Sequence, residues 1–211
     1  MIVRIFDDNT VAVLDYVDPT EEDEFIKLNP QWNLKKVDSL PEAMFGYYKY
    51  DPQTDTIVVD TERETEAYRQ MLLDRAKELV EDYITMYYPY DKQQADNHQK
   101  DYYGTAILMI RSQNTSSEPL TLDQIYLQVG NAANKILDGQ ATLQDLVSAY
   151  PQEEQFYWEQ LIKAGVRKAW TVRCVYIYRS YVNQVKQASA IDDLKELDKQ
   201  YLDFPEFPNF D

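Results

Sequence analysis

The first sixty residues alternate between short β-rich runs and turn formers. Ile2-Val3-Arg4-Ile5-Phe6 and Val11-Ala12-Val13-Leu14-Asp15-Tyr16 are dominated by β-branched and aromatic residues, and they flank Asp7-Asp8-Asn9-Thr10. Asn and Asp tolerate left-handed backbone and bond to their own main chain, so the pattern predicts a hairpin. Asp18-Pro19 ends its second strand. Thr20-Glu21-Glu22-Asp23-Glu24 reads as a helix start, with a capping Thr and negative charge in the first turn. That helix stops near Asn29-Pro30, because the residue before proline avoids helical geometry. A second hairpin pairs Tyr47-Tyr48-Lys49-Tyr50 with Thr56-Ile57-Val58-Val59 across Asp51-Pro52-Gln53-Thr54-Asp55. The expectation is four short strands and one helix.

From Thr61 the period changes. Tyr68, Leu72, Ala76, Leu79, Tyr83 and Met86 fall on one helical face, with Thr61 as N-cap and Glu64 completing a capping box; Tyr88-Pro89 ends the helix. A second helix runs from about Asp91 to Ser112, and Asn114–Pro119 is a loop. Thr121-Leu122-Asp123-Gln124 caps a third, which stops at Asp138-Gly139. Thr142 starts a short fourth that ends at Tyr150-Pro151.

The fifth helix, from about Gln152 to Gln187, is the longest and carries two apolar stripes. One is Trp158, Leu161, Gly165, Ala169, Val172 and Tyr176; the other is Val166, Trp170, Cys174, Ile177, Tyr181 and Val185. Both are expected to be buried, in a central bundle helix or in one that is also an interface. Ser189 caps a last short helix, Ala190–Tyr201. These patterns give an α+β fold, mainly α: a small antiparallel β module over 1–60, a helical bundle over 61–202, and an extended Phe/Pro acidic tail over 203–211.

The formal net charge is −16 in 211 residues. The excess sits at the two ends, while Lys163–Lys186 holds six basic residues and no acid. Pairing of this stretch with acidic segments, within or between subunits, is the expected use. The surrounding field repels phosphate, so nucleic acid is not an expected partner. The acids cluster in turns and a tail rather than along one face, which disfavours DNA mimicry.

Five Gly leave no glycine-rich phosphate loop. One Cys, Cys174, excludes an internal disulfide and reads as a buried small hydrophobe; one His, His98, excludes a His-pair metal site and reads as a surface residue. No catalytic residue, metal ligand or cofactor is therefore expected. No apolar run approaches the roughly 18 residues of a membrane span, and the N-terminus lacks a signal-peptide core.

Eighteen Tyr are the chain's most distinctive excess. Tyr gives large contact area with few rotors, so core and subunit contacts are expected; glycan stacking would use the same rings. The tail, with Phe204, Phe207 and Phe210 between Pro and acid, can fold back on its own helices, dock on another protein, or stay disordered. The residues expected at interfaces are Tyr47, Tyr48, Tyr87, Tyr88, Trp158, Trp170, Tyr176, Tyr181, Phe204, Phe207 and Phe210.

Gly46-Tyr47-Tyr48-Lys49-Tyr50 followed by Ile57-Val58-Val59-Asp60, the segment Tyr150–Gln160 leading into a long helix, and the acidic Ile191-Asp192-Asp193-Leu194 together resemble small structural proteins of bacteriophage tails, those of tail fibres and baseplates. The resemblance implies a non-enzymatic virion component held in a symmetric assembly, with self-association or other tail proteins as partners. A tail-fibre assembly chaperone, and a glycan-binding protein or hydrolase without a recognisable motif, remain alternatives. The location implied is the virion tail, and otherwise the cytoplasm.

Overall fold

The structure is a computed structural model that describes residues 1–87, 92–113 and 119–210, with side chains described from residue 103 onward in the helix over 92–113. Its elements are β1 (Ile2–Ile5), β2 (Thr10–Leu14), α1 (Glu22–Leu28), β3 (Leu34–Lys36), β4 (Tyr48–Asp51), β5 (Thr56–Val59), α2 (Thr61–Tyr87), α3 (Lys92–Gln113), α4 (Leu122–Leu137), α5 (Leu143–Val147), α6 (Gln155–Gln187) and α7 (Ile191–Asp198). The fold is α+β and mainly α, with a small curled antiparallel sheet at the N-terminus. Two compact units share the chain: residues 1–74 with 184–200, and residues 75–183 with 201–211. This division differs from the expected breaks at 60 and 202, because the first turns of α2 and all of α7 pack with the sheet-bearing unit.

In the first unit the sheet order is β3-β1-β2-β4-β5, antiparallel throughout. Both expected hairpins form. Asn9 and Asp55 take positive φ, 63° and 55°, in the two turns. Asp8 accepts the Thr10 N–H at 3.0 Å and Asp51 the Gln53 N–H at 2.9 Å, the local bonds these residues favour. The strand count is five, not four: Leu34–Lys36 pairs with β1, setting Ile2 against Lys36. Three residues with two lysines carry no alternation, so pairing rather than pattern makes this strand. Val3, Ile5 and Val11 form the core on one face with Tyr48, Tyr50 and Ile57, while Ile2 and Leu14 are buried too.

The start of α2 differs from expectation. Asp60 caps it, accepting the Arg63 N–H at 3.2 Å, and Thr61 lies inside the helix. Glu64 is buried and turned elsewhere: Oε2 accepts the Met44 N–H at 2.8 Å, Oε1 accepts the Tyr47 N–H at 2.9 Å, and both oxygens lie within 3.1 Å of the Phe45 nitrogen. One carboxylate thus closes the loop before β4. Tyr68 donates to Asp198 at 2.9 Å, and Arg69 to the Ala188 carbonyl at 2.9 Å. The cap position of α7 is Ala190 rather than Ser189, its N–H held by Asp193 at 3.3 Å.

In the second unit α4 and α5 begin with reciprocal Thr capping boxes, Thr121 with Gln124 and Thr142 with Asp145. Gly139, at φ +66°, turns the chain out of α4. Ile125 and Val129 of α4 pack with Ala106, Ile107 and Ile110 of α3 and with Trp158 and Leu161 of α6. Ala132 and Ala133 pack with Val147, Ile162 and Val166. The apolar face of α2 continues through Val80, which is buried, while Leu79 and Met86 are exposed. The expected stripe therefore slips by one residue, as steps of four from Tyr68 require. Among the described residues no helix is long and apolar enough to cross a membrane.

Candidate protein-binding surface

The second unit contains an aromatic cluster assembled by the C-terminal segment. Trp170 on α6 donates its indole N–H to the Pro205 carbonyl at 2.6 Å, and the Tyr83 hydroxyl donates to the same oxygen at 3.3 Å. Phe204 stacks on Tyr83 with centroids 5.1 Å apart; Phe207 meets Tyr87 at 5.1 Å and Trp170 at 5.2 Å; Phe210 meets Phe207 at 5.6 Å. Edge and offset contacts of this kind add to plain area burial. Burial pushes the Tyr83 hydroxyl up to about 12 and the Cys174 thiol up to about 11. Cys174 is thus a protonated hydrophobe at neutral pH, as its apolar position suggested, and not an activated thiolate.

Of the expected interface residues, Trp158, Trp170 and Tyr181 are buried inside the second unit. Trp158 stacks on Tyr150 at 4.1 Å and donates to the buried Glu154 at 3.0 Å. Phe204, Phe207, Phe210 and Tyr87 are half-buried in the aromatic cluster, so the tail is folded back on its own helices. Tyr47 and Tyr48 are half-buried in the first unit, the Tyr47 ring lying 4.5 Å from the Arg63 guanidinium. Tyr88 and His98 lie outside the residues whose side chains are described. Tyr176 stands apart from all of these, 75% exposed.

Burial along α6 corrects the two-stripe expectation. Val166, Trp170, Cys174, Tyr181 and Val185 are buried and Ile177 partly so. The other stripe is buried at Trp158 and Leu161, half-buried at Gly165 and Ala169, and then open: Val172 is 60% exposed and Tyr176 more so. The covering helix is α4, whose Val129 and Ala133 lie against Gly165. α4 ends at Leu137, about level with Arg173, which the C-cap Asp138 holds at 2.8 Å, and Tyr176 lies a turn further along α6.

Past that end a groove of about 690 Å³ opens between α6 and the C-terminal segment, lined by Val172, Arg173, Tyr176, Ile177 and residues 203–206. Arg173 is held by Asp138 at 2.8 Å. Tyr176 and Phe204, both expected at an interface, line this groove together with Val172, Asp203 and Glu206, which no local pattern in the sequence brings together. Within the basic stretch, Lys163 pairs with Glu159 and Arg173 with Asp138, while Arg167, Lys168 and Arg179 are exposed.

Among the described residues no group of three or more His, Cys, Asp or Glu side chains is placed to hold a metal ion. In comparisons with known proteins, no family model, curated protein or solved structure matches the chain.

Proposed function

We propose that the protein is a non-enzymatic structural or adaptor subunit of an oligomeric assembly, of the kind found in bacteriophage tail fibres and baseplates. The observation that supports this reading is the exposed pair Val172 and Tyr176 on an otherwise core-forming helix, beside a fixed Phe-Pro wall. A large aromatic and a β-branched aliphatic held on a rigid helix suit protein contact, since they lose little side-chain entropy on binding. The segments that carry the tail resemblance fold as the β4–β5 hairpin, the entry to α6 and the start of α7.

The test is mass spectrometry of assemblies purified through a tag on the chain, with light scattering of the chain alone. The expected result is a fixed stoichiometric ratio of the chain to the other components. A chain that purifies only as a monomer, and enters no particle, would overturn the reading.

A further inference from the structure

We infer that the aromatic groove formed by Tyr83, Tyr87 and Trp170 is a recognition site for an extended Phe-Pro-x-Phe-Pro segment, which the chain's own residues 204–208 occupy here and which the same segment of a second copy occupies when chains assemble. The inference rests on the subunit reading and names the contact through which copies join.

The ligand comes first. Residues 201–210 lie outside any helix or strand, yet their exposure repeats every three residues. Asp203, Glu206 and Asn209 are exposed, while Phe204, Phe207 and Phe210 are half-buried. Three residues per turn is the period of the polyproline II helix. Pro205 and Pro208 each fix a φ angle close to the one that helix needs, so the segment loses little entropy on docking. A backbone of this type makes no internal hydrogen bonds and leaves its carbonyls for a partner to satisfy.

The groove supplies what such a segment lacks. The Trp170 indole N–H and the Tyr83 hydroxyl both donate to the Pro205 carbonyl, at 2.6 and 3.3 Å. The Tyr83 ring stacks on Phe204, and Phe207 lies against both Tyr87 and Trp170. Beneath them Trp170 and Cys174 are fully buried, with Val80 packed beside them. A groove lined by aromatic rings, with ring-borne donors aimed at a carbonyl, is the arrangement by which proline-rich extended segments are recognised.

These contacts run through side chains and one carbonyl, so the groove reads the sequence of the segment and not the chain that carries it. The tie to its own chain is the stretch after α7, where residues 200–203 form no helix or strand and Tyr201 is 89% exposed. In dilute solution that short tether keeps the chain's own segment in the groove by its high effective concentration. Between copies held side by side, the neighbour's segment competes on equal terms, and exchange links the two chains without the loss of any contact.

The probes are full-length chains and a labelled peptide of residues 202–211. Phe204→Ser/Phe207→Ser keeps the groove and disables its resident segment; Tyr83→Ala/Tyr87→Ala keeps the segment and disables the groove. Circular dichroism establishes that each is folded, and the milder Phe207→Leu and Tyr87→Ala take their places where the double variants unfold. The peptide should bind Phe204→Ser/Phe207→Ser about tenfold or more tightly than it binds the unaltered chain, whose groove is occupied by a tethered competitor. Saturating peptide should raise that variant's melting point toward the unaltered value, and a peptide carrying Phe204→Ser and Phe207→Ser should do neither. Light scattering should show a one-to-one complex when the two variants are mixed, absent from either alone and dissolved by excess peptide. Equal binding to the variant and the unaltered chain, binding of the serine peptide, or no complex in the mixture would each overturn the inference. If these results fail while the chain still enters an assembly at fixed ratio, the subunit reading stands and its contacts lie elsewhere. Exchange by a chain that enters no assembly would uphold the groove and overturn the subunit reading.

Discussion

Gly165 is where α4 and α6 approach most closely, and replacing it by Ala separates two effects that usually travel together. Alanine is favoured over glycine inside a helix by about 0.8–1 kcal/mol. A Cβ at Gly165, however, would lie 2.5 Å from Val129 Cγ1, with the Val129 carbonyl at 3.4 Å and Ala133 Cβ at 3.7 Å. Carbon atoms rest at about 3.5–4.0 Å, so the valine methyl must retreat by about 1 Å. Val129 is buried and β-branched, so its one torsion has little freedom to yield. Overpacking of this type costs about 1–3 kcal/mol. The net for Gly165→Ala is then a destabilisation of about 0–2 kcal/mol. Gly130→Ala and Gly104→Ala are the controls. Both glycines are helical, and a Cβ at either would meet nothing within 4 Å, so each substitution should gain the propensity term alone. At roughly 2–4 °C per kcal/mol, Gly165→Ala should melt about 2–12 °C below Gly130→Ala. A Val129→Ala background removes the colliding methyl, and Gly165→Ala should there become neutral or stabilising, with a coupling of about 1–3 kcal/mol. The assay is far-ultraviolet circular dichroism during heating and during urea titration. Equal melting points for Gly165→Ala and Gly130→Ala, or a coupling near zero, would refute the close approach of the two helices.

Glu64→Ala leaves the Met44, Phe45 and Tyr47 N–H groups without their acceptor and should cost about 2–4 kcal/mol in a urea titration; a change within about 0.5 kcal/mol would show that water replaces the carboxylate freely. Leu161→Ala should cost roughly 2–5 kcal/mol, and Ile177→Ala, at a half-buried groove position, about half as much; an unchanged melting point for Leu161→Ala would show that this stretch of α6 is not core. The carboxyl of Glu22 is held below its ordinary value of 4.5, chiefly by the bond from the Met1 ammonium at 2.5 Å and further by Lys36 at 3.2 Å. A depressed folded value means that its stabilisation is complete above pH 4.5 and is lost as the pH falls through the folded value, so Glu22→Gln should flatten the acid limb of the urea midpoint against pH, and parallel curves for the two proteins would count against the pairing.

Local signals in the chain were legible where the chemistry that decides them is local. The turn at Asp7–Thr10, the helix starts at Thr121 and Thr142 and the stop at Gly139 all depend on residues within a few positions of each other, and all form as the pattern implies. Thr61 and Glu64 fit the same rule and form a different structure. Asp60 is an equally good cap one residue earlier, which frees Glu64, and the loop at Met44–Tyr47 has three N–H groups in need of an acceptor. That need arises twenty residues away and has no local signature. The strand Leu34–Lys36 is the same case: its lysines carry no β pattern, and only the free edge of β1 makes them extended.

The candidate surface shows the limit in its plainest form. Periodicity marks Val172 and Tyr176 as members of an apolar stripe, and they are; it does not say whether another helix lies across them. That depends on the length of the covering element. At about 1.5 Å per residue, α4, with 16 residues, extends about 24 Å, whereas α6, with 33 residues, extends about 50 Å. One such helix cannot cover the whole of its neighbour. Having begun opposite Trp158 and Leu161, it must run out before the stripe does. Covering the remaining positions takes a second element, and the C-terminal segment meets only one side of them, through Phe204 and Pro205. Tyr176 is therefore exposed for a reason set by two helix lengths rather than by its own residue type: the stripe of α6 runs on for a turn past the last residue of α4.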